Sequence, residues 1–401
     1  MLQEKEMTVY LDNSATTRQY DEVTDIMIRY MREQFGNPSS LYRPGIDAEK
    51  AVKEARRSLS RAFACGDDEI YFTSGGTESD NTAIFGAAEA GKRRGKRIIT
   101  TAVEHPAVSE AVKRLEESGF EAVYVPVNKD GILDVSALKD AVNEETVLIS
   151  VMTVNNENGV IMPISEIAVF KDAYNREHGT KILLHTDAVQ AAGHIPVNVK
   201  KQNIDMLSLS AHKFHGPRGI GALYVKRGIE LTSLMEGGGQ ERGKRPGTEN
   251  LPAIMGMAAA LKEECTLMEQ NEAKVTAMRD RLIQGLSQIP YSILNGSREK
   301  RLPGNVNFCF EGVSGESLLL LLDSRGICAS SGSACASGAL DPSHVLLSLG
   351  LAPEIAQGSL RISLDISNTE EEIDYMLEVI PQVVEQLRGM SDDWRKKHCE
   401  D

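Results

Sequence analysis

The chain lacks an apolar segment long enough to cross a membrane. Its first residues, Met1 to Met7, carry glutamates where a secretory signal has an apolar core. Positive charge is also in deficit, because 44 basic residues against 58 acidic ones give a formal net charge of −14. This excess of negative charge argues against nucleic acid or an anionic membrane as the main partner. We therefore expect a cytoplasmic protein that binds neither.

Cysteine is scarce, and none of the 6 cysteines belongs to a Cys-x-x-Cys pair. The spacing indicates neither a disulfide framework nor a zinc site, so we predict no bound metal. Two glycine motifs of nucleotide-binding proteins are missing as well: the Gly-Lys-Ser/Thr ending of a P-loop and the sequence Gly-x-Gly-x-x-Gly. These absences argue against a P-loop nucleotide site and against a dinucleotide site.

Short apolar or β-branched runs alternate with longer amphipathic stretches through the first two-thirds of the chain. This alternation is typical of βαβ units and predicts an α/β fold, with a mainly parallel sheet covered by helices on both faces. The predicted strands are Glu69 to Thr73, Arg97 to Thr101, Ala122 to Val125, Val147 to Met152, Lys181 to His185, Asp205 to Leu209 and Ile220 to Val225. The predicted helices include Ala48 to Ala64, Glu78 to Ala90, Pro106 to Glu117, Ser165 to His178 and Glu370 to Arg388.

The length of 401 residues exceeds what one hydrophobic core usually organises, since single cores stop growing at about 250 to 300 residues. A long helical pattern from Leu251 to about Gln288 precedes a change to shorter strand and helix patterns. We predict three parts: an N-terminal segment, residues 1–20, that packs with the small domain; a large domain, residues 21–262; and a smaller α+β C-terminal domain, residues 263–401.

A lysine ends the segment Ser210-Ala211-His212-Lys213, which follows the apolar run Met206 to Leu209 and precedes a glycine-rich turn. An amine at the end of a buried strand is poorly placed for solvation, and such a lysine is suited to Schiff-base chemistry. Viewed alone, the segment is more simply a surface lysine closing an ordinary strand. The remaining motifs decide against that simpler interpretation.

Two further motifs follow strands, where open α/β sheets bind ligands. The turn Thr73 to Ser79 joins a strand to a helix, and its glycines and hydroxyls leave backbone N–H groups available to a phosphate. A plain capping turn is the alternative.

Asp187 follows an apolar strand, where a carboxylate needs a cationic partner such as a pyridinium nitrogen. A helix N-cap is the alternative there. His105 and the turn Asn155 to Gly159 fall in the same loop layer, although each by itself is more often structural.

A run of small residues, Ser330 to Gly338, surrounds a single thiol, Cys335. Such a run cannot build a core and predicts an exposed, mobile loop with a reactive thiol. Cys328 lies in the apolar segment Gly326-Ile327-Cys328, and we predict it to be buried and inert.

Taken together, these segments resemble the cysteine desulfurases of the NifS/IscS type, which are pyridoxal 5'-phosphate enzymes of the class V aminotransferase group with the fold type I architecture. The resemblance covers nearly the whole chain and implies a large domain with a seven-stranded sheet. It depends on several motifs in one order: Tyr10 to Thr17, Phe35 to Ser40, Thr73 to Asn81, Glu104-His105, Asn155 to Gly159, Asp187 to Gln190, Ser210 to Lys213, Gly237 to Thr248 and Ser330 to Cys335.

The resemblance implies a role for each matching residue around the cofactor. Lys213 binds the cofactor covalently and serves as the base, His105 stacks over its ring and takes part in proton transfer, and Asp187 pairs with its pyridine nitrogen. Other residues assigned to the ring or the phosphate are Gly76, Thr77, Asn156, Gln190, Ser210 and His212. Thr248 resembles the residue that reaches a phosphate across a subunit interface, which implies a homodimer.

The resemblance also supplies the substrate and the reaction. Arg361, assisted by Asn37, corresponds to the residue that grips the carboxylate of L-cysteine, and Cys335 to the cysteine that takes up sulfur as a persulfide. The expected products are L-alanine and that persulfide, which passes to a protein acceptor such as an iron–sulfur scaffold. Another pyridoxal-phosphate reaction, such as transamination or selenocysteine cleavage, and a non-catalytic scaffold are the competing interpretations.

The chain departs from the family pattern at three positions. Tyr42 stands where a histidine is usual, Ala211 replaces the commoner glycine, and Asp365 follows Leu364 where glycine is common. None of these positions belongs to the expected reaction core, but the first two adjoin the cleft and are expected to tune it.

Overall fold

The computed structural model describes residues 8–332 and 342–398. Its strands are β1 Val9–Tyr10, β2 Ile70–Thr73, β3 Arg97–Thr101, β4 Glu121–Val125, β5 Thr146–Ser150, β6 Leu183–Asp187, β7 Met206–Ser210, β8 Gly221–Val225, β9 Ser292–Leu294, β10 Asn305–Phe310, β11 Ile327–Cys328 and β12 Ser359–Ser363. Its α-helices are α1 Asp21–Arg32, α2 Arg43–Ala62, α3 Gly76–Gly91, α4 Pro106–Glu117, α5 Val135–Ala141, α6 Ile164–His178, α7 Leu251–Leu286, α8 Gly315–Asp323, α9 His344–Ser348, α10 Pro353–Ala356, α11 Glu370–Met390 and α12 Asp392–His398.

The larger sheet has seven strands in the order β2-β8-β7-β6-β5-β3-β4. β8 runs antiparallel to both of its neighbours, β2 and β7, and the other neighbouring strands are parallel. Every residue of β5, β7 and β8 is buried, as expected for strands covered on both faces. The predicted α/β class and mainly parallel sheet are confirmed.

Separate clusters of apolar side chains pack against the seven-stranded sheet and the three-stranded sheet. Two clusters lie against the seven-stranded sheet, and a third surrounds the smaller sheet, whose order is β12-β10-β9. The N-terminal strand β1 pairs in parallel with β11, and Val9 and Leu11 belong to the third cluster. The N-terminal segment therefore packs beside the smaller sheet before the chain crosses to the larger one.

The long helix α7 contributes buried side chains to the core of the larger sheet and to the core of the smaller sheet. Leu251, Ile254 and Leu261 are buried in the core of the larger sheet, whereas Leu282 and Leu286 are buried in that of the smaller sheet. The boundary proposed near residue 262 falls between these two buried stretches, inside the helix. Within residues 8–332 and 342–398, no helix combines the length and apolar character needed to cross a membrane.

Candidate active site

A cavity of about 200 Å³ opens at the carboxyl ends of β6 and β7, beside the N-terminus of α3. Of the predicted site residues that the structure describes, all but Asn37 and Thr248 line this cavity. The predicted residues on its walls are Gly76, Thr77, His105, Asn156, Asp187, Gln190, Ser210, His212, Lys213 and Arg361. Residues from positions 76 to 361 meet here because parallel strands end at one edge of the sheet, and the smaller sheet closes that edge.

Lys213 lies in the short 3₁₀ turn that follows β7. Its Nζ donates to the carbonyl oxygens of Ser14 and Ala15, at 2.6 and 2.7 Å. Its own carbonyl oxygen lies 2.8 Å from His194 Nε2. The N-terminal segment thus forms one wall of the cavity. It orients the amine of Lys213, which lies 199 residues after Ser14 in the sequence.

Three buried side chains set the charge of the cavity. Asp187 and Asp80 are 6% and 1% exposed, and burial raises the pKa of both, with mutual repulsion adding to the effect on Asp80. The neighbouring His105 and Lys213 oppose the shift at Asp187. Burial lowers the pKa of His105, whose Nδ1 accepts from the N–H of Ala107, so the neutral ring carries its proton on Nε2. A positively charged ligand atom beside Asp187 would therefore stabilise the ionised form of this buried carboxyl group.

The turn before α3 is the segment that the sequence predicts to bind a phosphate. A Cβ placed on Gly76 would come within 2.8 Å of Val189, so a larger residue would crowd the cavity wall at this position. Glu78, in the first helical turn, accepts from the N–H of Ser74 at 2.8 Å and pairs with Arg245 at 2.8 Å. Free N–H groups at a helix N-terminus favour an anion, and Arg245 offsets the negative charge of Glu78.

Arg361 reaches the cavity from β12 and is only 2% exposed. Its Nη2 lies 2.7 Å from Asp12 Oδ1, and its Nη1 donates to the carbonyl oxygen of Asn156 at 3.1 Å. Among the described residues, nothing accepts a hydrogen bond from its Nε. A buried guanidinium with a spare donor on a cavity wall is suited to bind a carboxylate.

Two of the predicted site residues lie apart from this cavity, and a third is outside the part of the chain that the structure describes. Asn37 and Thr248 are exposed and line no part of it. Cys335 lies outside the described residues. The prediction that Cys328 is buried is wrong, because β11 is a short strand that pairs only with β1 and leaves the thiol partly exposed. Burial nevertheless raises the pKa of that thiol.

Sequence reasoning missed Ser14 and Asp80 on the cavity walls and Asp12 behind Arg361. Asp80 lies inside α3, where no local signal separates it from an ordinary helical carboxylate. Asp12 and Ser14 belong to a motif that matched the family, but the match assigned them no role. Asp12 contacts Arg361, 349 positions later, and Ser14 contacts Lys213, 199 positions later. No local pattern in the sequence reveals such contacts.

The donor set fits a phosphorylated, cationic aromatic group. Gly76 begins α3, and a helix N-terminus favours an anion, while Asp80 Oδ1 is buried without a hydrogen-bond partner among the described residues. A metal fits less well, since no group of three or more His, Cys, Asp or Glu side chains within residues 8–332 and 342–398 is arranged to hold one.

Comparisons with known proteins agree with this geometry. The aminotransferase class-V profile matches residues 9–376. The cysteine desulfurase IscS of Clostridium botulinum is 50% identical over 96% of both chains. The chain belongs to the cysteine desulfurases of aminotransferase class V.

Solved structures of cysteine desulfurase relatives share the fold. A NifS-like protein superimposes with a TM-score of 0.89 and 38% identity, over 95% of this chain and 100% of the other. SspA in complex with cysteine has a TM-score of 0.78 and 34% identity, over 89% and 99% of the two chains.

Proposed function

We propose that the protein converts L-cysteine to L-alanine, with pyridoxal 5'-phosphate as its cofactor, and that Cys335 takes up the sulfur as a persulfide. The observation that carries this proposal is the single cavity in which Lys213, His105, Asp187 and Arg361 meet. The complex of SspA with cysteine, a relative of the same fold, supports the choice of substrate.

Different residues of the cavity would hold the cofactor, move the proton and bind the substrate in this reaction. Gly76, Thr77, Ser210 and His212 would hold the phosphate of the cofactor, and Asp187 its ring nitrogen. When bound, the cofactor supplies an electron sink that acidifies the substrate Cα–H bond. Lys213 then moves the Cα proton, and Arg361 holds the substrate carboxylate.

The sulfur step needs a thiolate at Cys335. Its attack on the substrate sulfur forms an S–S bond while the Cβ–S bond breaks, and the carbon that loses sulfur gains a proton to become the methyl group of alanine. The persulfide then transfers its terminal sulfur to a protein thiol, for which an iron–sulfur scaffold is the acceptor that we propose. A cytoplasmic location suits this chemistry, because free thiols persist in a reducing compartment.

A homodimer is the second part of the proposal. Large apolar side chains are exposed along one segment of the chain: Met31 at 57%, Phe35 at 75%, Leu41 at 93% and Tyr42 at 63%. A groove of about 570 Å³ joins this segment to residues 239–242, which precede the exposed Thr248. An apolar patch of this kind marks an interaction surface, and a second copy of the chain seated on it would bring Thr248 towards the partner's cavity.

The experiment that tests the function measures alanine and protein-bound persulfide after the purified protein is incubated with cysteine. We expect both products from the wild type, loss of both from Cys335→Ser, and retention of both in the control Cys328→Ser. Persulfide that survives Cys335→Ser, or a wild type that forms no alanine, would contradict the proposal. A wild type that releases pyruvate or accepts an amino group from another substrate would favour a different reaction on the same fold.

A further inference from the structure

Glu157 lies buried beside the cavity, 5% exposed, in the turn that also supplies Asn156. Its N–H donates to Asn155 Oδ1 at 2.9 Å. Its carbonyl oxygen accepts from the side-chain amides of Asn305 and Asn307 on β10, each at 3.0 Å. Because these bonds hold the backbone of the turn, the Glu157 carboxyl group is not needed for that purpose.

The carboxyl group instead contacts the chain on both sides of residues 333–341. Ser343 Oγ donates to Glu157 Oε2, and the same hydroxyl accepts from the N–H groups of Val345 and Leu346 at the start of α9, at 3.1 and 3.3 Å. On the other side, a Cβ placed on Gly332 would come within 2.6 Å of Glu157 Oε2. One carboxyl group therefore packs directly against Gly332 and bonds to Ser343.

This contact is rigidly connected to the substrate-binding arginine. Ser330 and Arg361 exchange backbone hydrogen bonds of 3.1 and 2.6 Å, and the N–H of Gly332 donates to Ser359 Oγ at 3.3 Å. Arg361 also bonds to the carbonyl oxygen of Asn156, the residue before Glu157. Burial raises the pKa of Glu157 to about 7, while Ser343 and Arg361 favour its ionised form.

We propose that Glu157 is a positioning residue for sulfur transfer: its carboxyl group fixes Gly332 and Ser343 relative to Arg361. The inference rests on the proposed function, in which the substrate is held by Arg361 and the sulfur passes to Cys335. Misplacing reacting groups by about 1 Å can slow a reaction by about a hundredfold. Loss of the carboxyl group therefore slows sulfur transfer, whereas cysteine binding survives because Arg361 keeps its own contacts with Asp12.

The test is a double-mutant cycle with Glu157→Ala and Ser343→Ala, measured on the cofactor-loaded enzyme. The kcat for alanine formation is compared with the Kd for cysteine, which is read from the change in cofactor absorbance on binding. We expect each single variant to lose at least about tenfold in kcat with the Kd nearly unchanged. The double variant should lose less than the product of the two single losses, because both changes break the bond between Glu157 and Ser343. Glu157→Gln keeps an oxygen acceptor for Ser343 and should recover most of the rate.

Ser314→Ala is the matched control, because Ser314 caps α8 by accepting from the N–H of Ser317 and makes no contact with Glu157. It should keep the wild-type kcat. Losses that multiply in the double variant, or a kcat and Kd that change together, would overturn the inference. A wild-type kcat for Glu157→Ala in an active enzyme overturns this inference alone, whereas an inactive wild type overturns the proposed function.

Discussion

The proposed function depends on Lys213, whose amine is oriented by its surroundings. The carbonyl oxygens of Ser14 and Ala15 accept from Nζ, so the side chain already points into the cavity. We expect Lys213→Ala to lose alanine formation by about 10²- to 10⁴-fold, the usual contribution of a positioned acid–base group, or more. The variant should also lose the covalent cofactor adduct that borohydride traps in the wild type, detected by the mass of the reduced protein. The control Lys92→Ala removes an exposed lysine paired with Glu89 and should behave as wild type.

Glu104 makes stability depend on pH. Burial raises its pKa to about 8, although the N–H of Met152 and the hydroxyl of Thr101 stabilise the ionised form. Since the ordinary value is 4.5, the folded protein holds a proton that the unfolded chain releases between these two pH values. The stabilisation is thus complete below pH 4.5 and is lost as the pH rises towards 8.

Replacing Glu104 isolates this contribution. Glu104→Gln should flatten the decline of Tm between pH 6 and pH 8.5, measured by thermal unfolding across that range. The control Glu22→Gln changes an exposed glutamate on α1 and should keep the slope of the wild type. An unchanged slope in Glu104→Gln would show that another group controls the pH dependence.

Among individual residues, the sequence predicted those whose position is marked by a local sequence pattern. Lys213, Asp187 and the turn at Gly76 each follow a recognisable strand, so their place at the sheet edge could be expected. Asp80 has no such signal, and the pairing of Asp12 with Arg361 joins distant parts of the chain. The burial of Cys328 was misjudged because an apolar sequence does not reveal that its strand has one partner.

The strands and helices were predicted well for a physical reason. Their apolar runs are continuous where both faces of the strand are buried, and the predicted strand Arg97 to Thr101 and helix Pro106 to Glu117 match β3 and α4 in full. The antiparallel direction of β8 could not be predicted, because a buried strand has the same apolar sequence in either direction. α11 begins at Glu370, the first residue of the predicted helix, and Thr369 and Glu372 form a capping box there.

The turn between β2 and α3 gives a prediction at the scale of the element. Gly76→Ala places a Cβ within 2.8 Å of Val189 and should weaken binding of the phosphate, because the N–H groups can no longer approach it. We expect the Kd for inorganic phosphate, measured by calorimetry, to rise at least severalfold without loss of fold.

Gly389→Ala is the control for this substitution. Gly389 lies exposed near the end of α11, and a Cβ there meets nothing within 4 Å. Its phosphate affinity should equal that of the wild type. Equal affinity in the Gly76 variant would place the anion elsewhere.

At the scale of the whole molecule, the exposed apolar segment around Leu41 predicts assembly. Leu41→Glu puts a charge in the centre of the proposed interface and should convert dimers to monomers in sedimentation velocity, with loss of activity because Thr248 no longer reaches a partner. Leu320→Glu changes a leucine on α8 that is also exposed, at 65% against 93% for Leu41, and should leave the assembly intact. A wild type that sediments as a monomer would contradict the homodimer outright.

The division into larger and smaller parts was predictable only in outline. The helical pattern from Leu251 to about Gln288 already crossed the proposed boundary, but composition and length could not show that α7 is buried in a different core at each end. Nor could they show that the cavity lies where the smaller sheet meets the larger one. That meeting depends on contacts such as the bond from Arg361 Nη1 on β12 to the carbonyl oxygen of Asn156 in the turn after β5.

The pairing of β1 with β11 has a consequence for how the protein is made. The ribosome releases Val9 and Tyr10 first, yet their strand partners, Ile327 and Cys328, emerge only when most of the chain has been synthesised. Until then Val9 and Tyr10 lack their partner strand, and the wall that orients Lys213 is bonded to the larger sheet side through Gln190 and His212. The larger sheet can form during translation, but the site becomes competent only after the last strands have left the ribosome.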